Sequence, residues 1–174
     1  MLVAFNIHFS PALRRSEMLL SMPNTYSQIY VHIVFAVKGR ECFIKKSFRE
    51  ELQKYISGII NNKKQKLYAI YCMPDHTHLF ISLKPDVKIS DLVRDIKSNS
   101  SAFLKEKKLA ISTFSWQEGY GVFSYSKSQA QKVASYILNQ PVHHKKESFK
   151  NEYLKFLTKF GIEYDERYLF EFYN

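Results

Sequence analysis

The first segment with a clear hydrophobic pattern runs from Tyr26 to Lys38, where strongly apolar side chains occupy alternate positions. They are Ile29, Val31, Ile33, Phe35 and Val37. Alternation with a period of two residues is typical of a β-strand that packs one face on a core. Two further strands are predicted over residues 67–73 and 76–83, separated only by Pro74-Asp75. Because that connection is so short, these two strands are expected to pair as an antiparallel hairpin.

Other segments repeat apolar residues every three to four positions, which predicts helices. The first helix is expected to begin at Ser47, where Ser47 and Glu50 match a capping box. Further helices are predicted over residues 90–108, 128–140 and 148–160. Gly161 is the expected C-terminal cap of the last helix. With a strand in the aromatic stretch 113–126, the order β, α, β, β, α, β, α predicts an α+β domain with helices packed on an antiparallel sheet.

Length and composition indicate one soluble domain. The chain has 174 residues, and no apolar run approaches the roughly 20 residues of a membrane-spanning helix. Its two cysteines, Cys42 and Cys72, have no metal-type spacing and give no support for a disulfide framework. A reducing cytoplasm is the expected location.

The first 21 residues differ in character from the rest. A signal peptide would place its charges before the apolar run, whereas Arg14 and Arg15 follow it. We interpret residues 1–21 as a non-native or flexible extension, with Met22 as the natural initiator and a membrane-touching tail as the alternative. Residues 22–174 are then expected to form the single domain.

Two histidines one residue apart stand at the start of the third predicted strand. Residues i and i+2 of a strand share a face, so His76 and His78 should point one way while Thr77 and Leu79 point the other. Imidazole is a common metal ligand, and two rings on one strand provide half of a metal site. The alternative is a pair of surface histidines, and further ligands elsewhere would decide between the two.

The charge balance favours a polyanionic partner. Lys and Arg number 26 against 16 Asp and Glu, a formal net charge of +10, which suits nucleic acid, although a basic proteome would give the same excess. Lys38 and Arg40 flank a turn glycine, and Arg94 and Lys97 lie on the outer face of the second helix, so all are candidate phosphate contacts. Tyr120 between two glycines is a candidate for stacking on unpaired bases. Solvated side chains and a buried aromatic strand are the alternatives.

Three stretches together resemble a known family. They are Pro74-Asp75-His76-Thr77-His78-Leu79, Trp116-Gln117-Glu118-Gly119-Tyr120-Gly121-Val122-Phe123-Ser124 and Tyr136-Ile137-Leu138-Asn139-Gln140-Pro141-Val142-His143-His144. In this order and spacing they resemble the single-tyrosine HUH transposases of the insertion-sequence 200/605 type, which include the repeat-associated tyrosine transposases. Supporting similarity at residues 30–35 and 96–101 extends the resemblance over most of residues 23–164. Thr77 departs mildly from the family pattern of histidine, hydrophobe, histidine.

The resemblance implies a reaction and the residues that carry it. Tyr136 would be the nucleophile, and His76, His78 and Gln140 would hold a divalent ion, Mg²⁺ or Mn²⁺. The family acts on single-stranded DNA, recognises hairpins near the element ends and forms a 5′-phosphotyrosine link. A ferredoxin-like fold and a homodimer are also implied.

Three other histidines and one lysine complete the sequence-based assignments. His143 and Lys145, in the basic segment that follows Gln140, are expected to contact the DNA backbone. His32 and His144 are interpreted as structural or DNA-contacting residues. The residues alone do not name a general base for the tyrosine.

Two other functions fit parts of the same pattern. A metal-dependent hydrolytic nuclease would keep the histidines but would not need Tyr136. A non-catalytic or domesticated nucleic-acid-binding relative would need neither. Formation of a covalent protein–DNA adduct separates the transposase from both.

Overall fold

The computed structural model describes residues 26–173, so the interpretation of residues 1–21 lies outside the described part of the chain. Within that range an antiparallel sheet is formed by β1 Ile29–Ala36, β2 Lys66–Cys72, β3 His76–Leu83 and β4 Gly121–Tyr125. The strands lie in the order β2-β3-β1-β4, with β1 between β3 and β4. Pro74 and Asp75 form the hairpin turn between β2 and β3, as predicted.

Helices connect the strands and then continue beyond the sheet. They are α1 Lys46–Asn62, α2 Ile89–Glu106, α3 Ala130–Leu138, the short α4 Gln140–His143 and α5 Phe149–Lys159. With α1 between β1 and β2 and α2 between β3 and β4, the first six elements form the ferredoxin-like arrangement. The predicted α+β class and antiparallel sheet are therefore confirmed.

One face of the sheet packs against α1 and α2 and forms the larger core. Alternate residues of the strands supply it, including Val31, Ile33, Phe35, Leu79 and Ile81. The helices contribute the stripes that their periodicity predicts, among them Phe48, Leu52, Ile56, Leu92 and Ile96. Trp116, whose indole N–H donates to Ser100 Oγ at 3.0 Å, closes this core and is buried rather than available to bases.

The other face of the sheet is covered by α3, α5 and the C-terminal segment. Phe123 of β4 packs with Phe149, Tyr153, Phe156 and Phe170 in an aromatic cluster. Ser148 is the N-cap of α5, and its side chain accepts a hydrogen bond from the Asn151 backbone N–H at 3.3 Å. Since both faces are covered, polar side chains on this second face lie inside the protein.

Two helix boundaries differ from those expected. Ser47 is not a cap, because α1 begins at Lys46 and no side chain among residues 26–173 caps its start. Glu50 instead forms an ion pair with Lys54 at 2.7 Å, one turn further on. The helix predicted to run to Gln140 ends at Leu138, since Pro141 lacks an N–H and its ring would clash with the preceding turn.

The last residues of the described part pack back onto the domain. Gly161 follows α5 with a φ of 62°, the left-handed conformation of a C-terminal cap. The Glu171 backbone N–H donates to Gln117 Oε1 at 2.7 Å, which fastens this segment beside β1. None of the helices within residues 26–173 is long and apolar enough to cross a membrane.

Candidate active site

The two histidines of β3 lie side by side on the face covered by α5. In the register with β1, His76 is opposite Ala36 and His78 is opposite Val34. Both rings are fully buried, with centroids 4.8 Å apart. Leu79 belongs to the core on the opposite face, so the alternation predicted for this strand is what the structure has. The rings are therefore interior groups rather than surface histidines.

Helix α5 brings a carboxylate to these rings. Oε2 of Glu152 lies 3.8 Å from His76 Nε2, 3.4 Å from His78 Nε2 and 3.3 Å from Nε2 of His144, which follows α4. Glu152 shares the buried face of α5 with Phe149 and is itself 2% exposed. The ligating atoms of the three histidines and Glu152 all lie within 4.8 Å of one another.

Several buried atoms at this cluster have no hydrogen-bond partner among residues 26–173. They are Nε2 of His76, His78 and His144, Oε2 of Glu152 and Oε1 of Gln140. Buried polar atoms are nearly always paired, so a group of such atoms in one place requires an explanation. All can offer a lone pair to a cation, which would satisfy them together. The cluster therefore fits a divalent metal ion.

The other nitrogen of each ring is held by a neighbour. His76 Nδ1 lies 2.7 Å from Asp75 Oδ1, and His144 Nδ1 lies 2.8 Å from the Glu147 backbone oxygen. Because a carbonyl and an ionised carboxylate only accept, both Nδ1 atoms carry a proton, and in the neutral form of each ring Nε2 has a lone pair. His78 Nδ1 lies 2.8 Å from Nε2 of His32, which is buried behind it on β1. Such outer partners orient metal-binding imidazoles.

The ionisation of the cluster suits a cation. Burial lowers the pKa of His76 to about 4, despite the opposing effect of the hydrogen bond that His76 donates to Asp75. Burial alone would raise the pKa of Glu152, but His78, His144 and His76 surround the carboxylate and hold its pKa well below the usual range. At neutral pH His76 is neutral and Glu152 is ionised, and these are the forms that bind metals.

Tyr136 on α3 reaches the same carboxylate. Its hydroxyl donates to Glu152 Oε1 and lies 3.3 Å from His143 Nε2. Burial and the Glu152 charge both raise the pKa of Tyr136, so the phenol keeps its proton in this arrangement. The tyrosine and the strand histidines thus meet at Glu152 within one chain.

Gln140 lies near Tyr136, although the helix predicted over residues 128–140 is interrupted between them. The helix that carries Tyr136 ends before Gln140, so the two are not neighbours on one continuous helical face. Gln140 is nevertheless fully buried, and its Nε2 donates to Glu152 Oε1 at 2.8 Å. Gln140 Oε1 has no hydrogen-bond partner among the described residues.

Some residues predicted to contact DNA lie at the surface, and others are engaged within the protein. The exposed ones are Lys38, Arg40, Arg94, Tyr120 and Lys145. Arg94 forms ion pairs with Asp91 at 2.7 Å and Asp95 at 3.2 Å.

Lys97 and His143 have internal partners. Lys97 Nζ donates to the backbone oxygens of Gln117, at 2.8 Å, and of Gly119, and burial lowers its pKa to about 8. His143 lies between Tyr136 and Glu147, 3.2 Å from the Glu147 carboxylate. Lys97 therefore fastens the aromatic loop to α2, and His143 lies next to the tyrosine.

Three residues of the cluster were not assigned to it from the sequence. His32 and His144 were interpreted as structural or DNA-contacting, and Glu152 was not singled out. A signal for Glu152 existed, since it is an acid on the same helical face as Phe149 and Phe156. An acid on an apolar stripe is unusual unless it has a partner.

Comparisons with known proteins agree with the fold and identify a family. The family model described as "Transposase IS200 like" matches residues 25–140. The ISDra2 transposase TnpA of Deinococcus radiodurans is 25% identical over 118 residues, covering 65% of this chain and 84% of that protein. The transposase for insertion sequence element IS200 of Salmonella typhimurium is 28% identical over 130 residues, covering 69% and 82%.

A solved structure supports the same fold. A REP-associated tyrosine transposase bound to a REP hairpin superposes with a TM-score of 0.53 at 16% identity, covering 71% of this chain and 73% of that one. His143, His144 and Glu152 lie beyond the residues that the family model matches. From the match over residues 25–140, the chain belongs to the IS200-like transposase family.

Proposed function

We propose that this protein cleaves and rejoins single-stranded DNA through a covalent link between Tyr136 and a 5′ phosphate. The observation that carries the proposal is the convergence of Tyr136 and the buried cluster of His76 and His78 on Glu152. A phenol, two imidazoles and an amide at one point provide a nucleophile beside a cation site. This combination distinguishes a strand transferase from a nuclease that activates water.

The chemistry follows from the groups present. Tyr136 oxygen attacks the phosphorus, the bond to the 3′ oxygen breaks, and the products are a 5′-phosphotyrosyl ester and a free 3′ hydroxyl. Glu152 Oε1 accepts the hydrogen bond that orients the Tyr136 hydroxyl, the tyrosine proton is lost to water as the new bond forms, and the leaving 3′ oxygen takes a proton from water. The reverse reaction, with a 3′ hydroxyl from another strand, rejoins DNA.

A divalent ion at the cluster supplies the charge that this reaction needs. When bound, it offsets negative charge developing on the phosphate oxygens. His76, His78 and Gln140 would hold it, since His76 Nε2, His78 Nε2 and Gln140 Oε1 are buried without a hydrogen-bond partner among residues 26–173. His32 would orient the His78 ring through His78 Nδ1, and Asp75 would orient the His76 ring through His76 Nδ1. Mg²⁺ and Mn²⁺ are the candidates that the family resemblance supplies.

The DNA partner is proposed from the surface charge and the relatives. The net charge of +10 and the exposed Lys38, Arg40 and Lys145 suit a phosphate backbone, and Tyr120 is 36% exposed and available for stacking. A related protein was solved bound to a REP hairpin, which makes a hairpin at a DNA end the substrate to test first.

A homodimer is part of the proposal, since the resemblance implies one. The side chains of Leu138 and Val142, 38% and 59% exposed, offer an apolar surface beside Tyr136 and Gln140. Light scattering on the purified protein tests it: a mass near twice 20.6 kDa supports the dimer, and a mass near 20.6 kDa contradicts it.

The experiment that tests the function looks for the covalent adduct. The protein is incubated with labelled single-stranded hairpin oligonucleotides that carry candidate end sequences, with Mn²⁺ or Mg²⁺, and resolved on a denaturing gel. The wild-type protein should give an SDS-resistant adduct and Tyr136→Phe should give none. Tyr55→Phe is the matched control, because Tyr55 stacks on Phe103 between α1 and α2, away from the site. Cleavage without any adduct would favour the hydrolytic nuclease, and Tyr136→Phe adducts would exclude this nucleophile.

A further inference from the structure

We propose that His144 and Glu152 are direct ligands of the cation, so that the site has up to five protein ligands and prefers transition metals to Mg²⁺. This inference rests on the cation site of the proposed function and names two ligands and the class of metal. Both residues lie beyond residues 25–140, the part of the chain that matches the family model. Residues that follow the matched part of the chain would therefore complete the metal centre.

The spacing of the ligating atoms is the first argument. Metal bonds of about 2.0–2.1 Å separate neighbouring ligand atoms by about 2.9 Å at octahedral angles and by about 3.4 Å at tetrahedral angles. Glu152 Oε2 lies 3.3 Å from His144 Nε2 and 3.4 Å from His78 Nε2, with His76 Nε2 slightly further at 3.8 Å. These separations match ligands arranged around one ion.

The fixed tautomer of His144 is the second argument. Its Nδ1 lies 2.8 Å from the backbone oxygen of Glu147, which can only accept, so this nitrogen carries a proton. In the neutral ring Nε2 then has a lone pair and no hydrogen to offer Glu152. Without a cation, Glu152 raises the pKa of His144 despite its partial burial, so a proton is favoured between the two atoms, which lie 3.3 Å apart. A shared cation would take the place of that proton and bind both lone pairs.

The two oxygens of Glu152 have separate tasks. Oε1 accepts hydrogen bonds from Tyr136 and Gln140, whereas Oε2 has no partner among residues 26–173. A cation on Oε2 leaves the contact to the nucleophile intact. Glu152 would then couple metal binding directly to the position of Tyr136.

The ligand set decides the class of metal. Mg²⁺ favours oxygen ligands and keeps several of its waters, which three buried imidazoles do not accommodate. Imidazole suits Zn²⁺, Co²⁺ and related ions, and affinity rises from Mn²⁺ through Co²⁺ along the first-row series. With five protein ligands, an octahedral ion keeps one position for a phosphate oxygen. We therefore expect the order Mg²⁺, Mn²⁺, Co²⁺ from weakest to tightest.

The test measures metal binding in the absence of DNA. Full-length protein is stripped with a chelator and titrated by calorimetry with Mg²⁺, Mn²⁺ and Co²⁺. Co²⁺ should bind on the order of 100-fold more tightly than Mg²⁺. His144→Ala and Glu152→Gln should each weaken Co²⁺ binding by at least about 10- to 100-fold, since even outer partners of metal ligands cost that much. Glu163→Gln, a change of the same charge at an exposed position, should have no effect.

X-ray absorption of the Co²⁺-loaded protein counts the imidazoles directly. Three are expected in the wild type and two in His144→Ala. Circular dichroism of each metal-free variant checks folding, and His144→Gln replaces His144→Ala if the latter does not fold. Equal affinity for Mg²⁺ and Co²⁺, two imidazoles in the wild type, or unchanged Co²⁺ binding in the folded variants would overturn the proposal. Adduct formation with DNA is scored separately, so a transferase with a Mg²⁺-preferring site would refute this inference alone.

Discussion

Phe149 packs against the proposed metal site, and its removal should weaken metal binding and destabilise the fold. Its ring stacks on His76 with centroids 3.9 Å apart and planes 5° apart. It also contacts Tyr153, Phe170 and Phe172 in the cluster that holds α5 on the sheet. Phe149→Ala therefore removes both a wall of the metal site and part of the packing that positions Glu152.

The magnitude of the stability loss follows from burial. Phe149 is 6% exposed, and truncating a buried Phe to Ala costs about 3–5 kcal/mol in the free energy of unfolding. The hydrogen bond that His76 donates to Asp75 still orients the ring, so we expect metal affinity to fall by roughly tenfold, about 1.4 kcal/mol, rather than vanish.

Phe114→Ala is the matched control. Phe114 is fully buried in the core on the other face of the sheet, where it packs edge-on against Trp116 at 5.3 Å. It should lose similar stability without losing metal affinity.

The assay combines urea unfolding of metal-free protein with Co²⁺ calorimetry without denaturant. Both variants should unfold at lower urea concentrations, and only the Phe149 variant should bind Co²⁺ more weakly. If Phe149→Ala fails to fold, Phe149→Leu keeps much of the volume and removes the stacked ring. Wild-type Co²⁺ affinity in a folded Phe149 variant, or an equal loss in the Phe114 variant, would refute the reasoning that α5 shapes the site.

Three further predictions concern the surroundings of the site. Asp75→Asn removes the carboxylate on His76 Nδ1 and should weaken Co²⁺ binding by about 10- to 100-fold in calorimetry, whereas unchanged affinity would mean that this contact does not orient the ring. The metal-free protein should lose stability in acid, because burial lowers the pKa of His76 from about 6.5 in the unfolded chain to about 4 in the folded protein. Between these values the unfolded state binds more protons, so His76 contributes a loss on the order of 3 kcal/mol in the free energy of unfolding. The same stability towards urea at pH 7 and pH 4.5 would contradict this. Gly121→Ala would place a Cβ 2.8 Å from the Tyr153 ring and should lower the free energy of unfolding in urea by about 1–3 kcal/mol. Gly58→Ala, in α1, where no atom lies within 4 Å of the added Cβ, should raise it by about 0.5–1 kcal/mol. Equal effects of the two substitutions would refute the packing argument.

The local pattern of the chain was enough for most of the fold. Alternation in β1 and β3 and the two-residue connection before His76 depend only on neighbouring residues, and the structure confirms the strands and their hairpin. The exact ends of the helices were predicted less well. Glu50 pairs with Lys54 rather than capping α1, and Pro141 divides the helix that carries Tyr136 from Gln140.

Part of the site was predicted from the sequence and part was not, and the difference has a physical reason. His76 and His78 share a face because they share a strand, so sequence spacing alone brings them together. Glu152 reaches them from α5, some 75 positions later, through packing of aromatic residues on the second face of the sheet. His32 lies behind His78 only because β1 pairs with β3 in one register. Contacts of this kind are tertiary, and the spacing of residues along the chain does not predict them.

The measurement that tests the central claim most directly is mass spectrometry of the protein–DNA adduct. Wild-type protein is reacted with the hairpin substrate and metal, digested with protease and nuclease, and searched for the peptide that retains a nucleotide. The peptide should contain Tyr136, with the nucleotide attached to the phenolic oxygen through its 5′ phosphate. A nucleotide on any other residue, or cleaved DNA with no modified peptide, would contradict the assignment of Tyr136 as the nucleophile of this site.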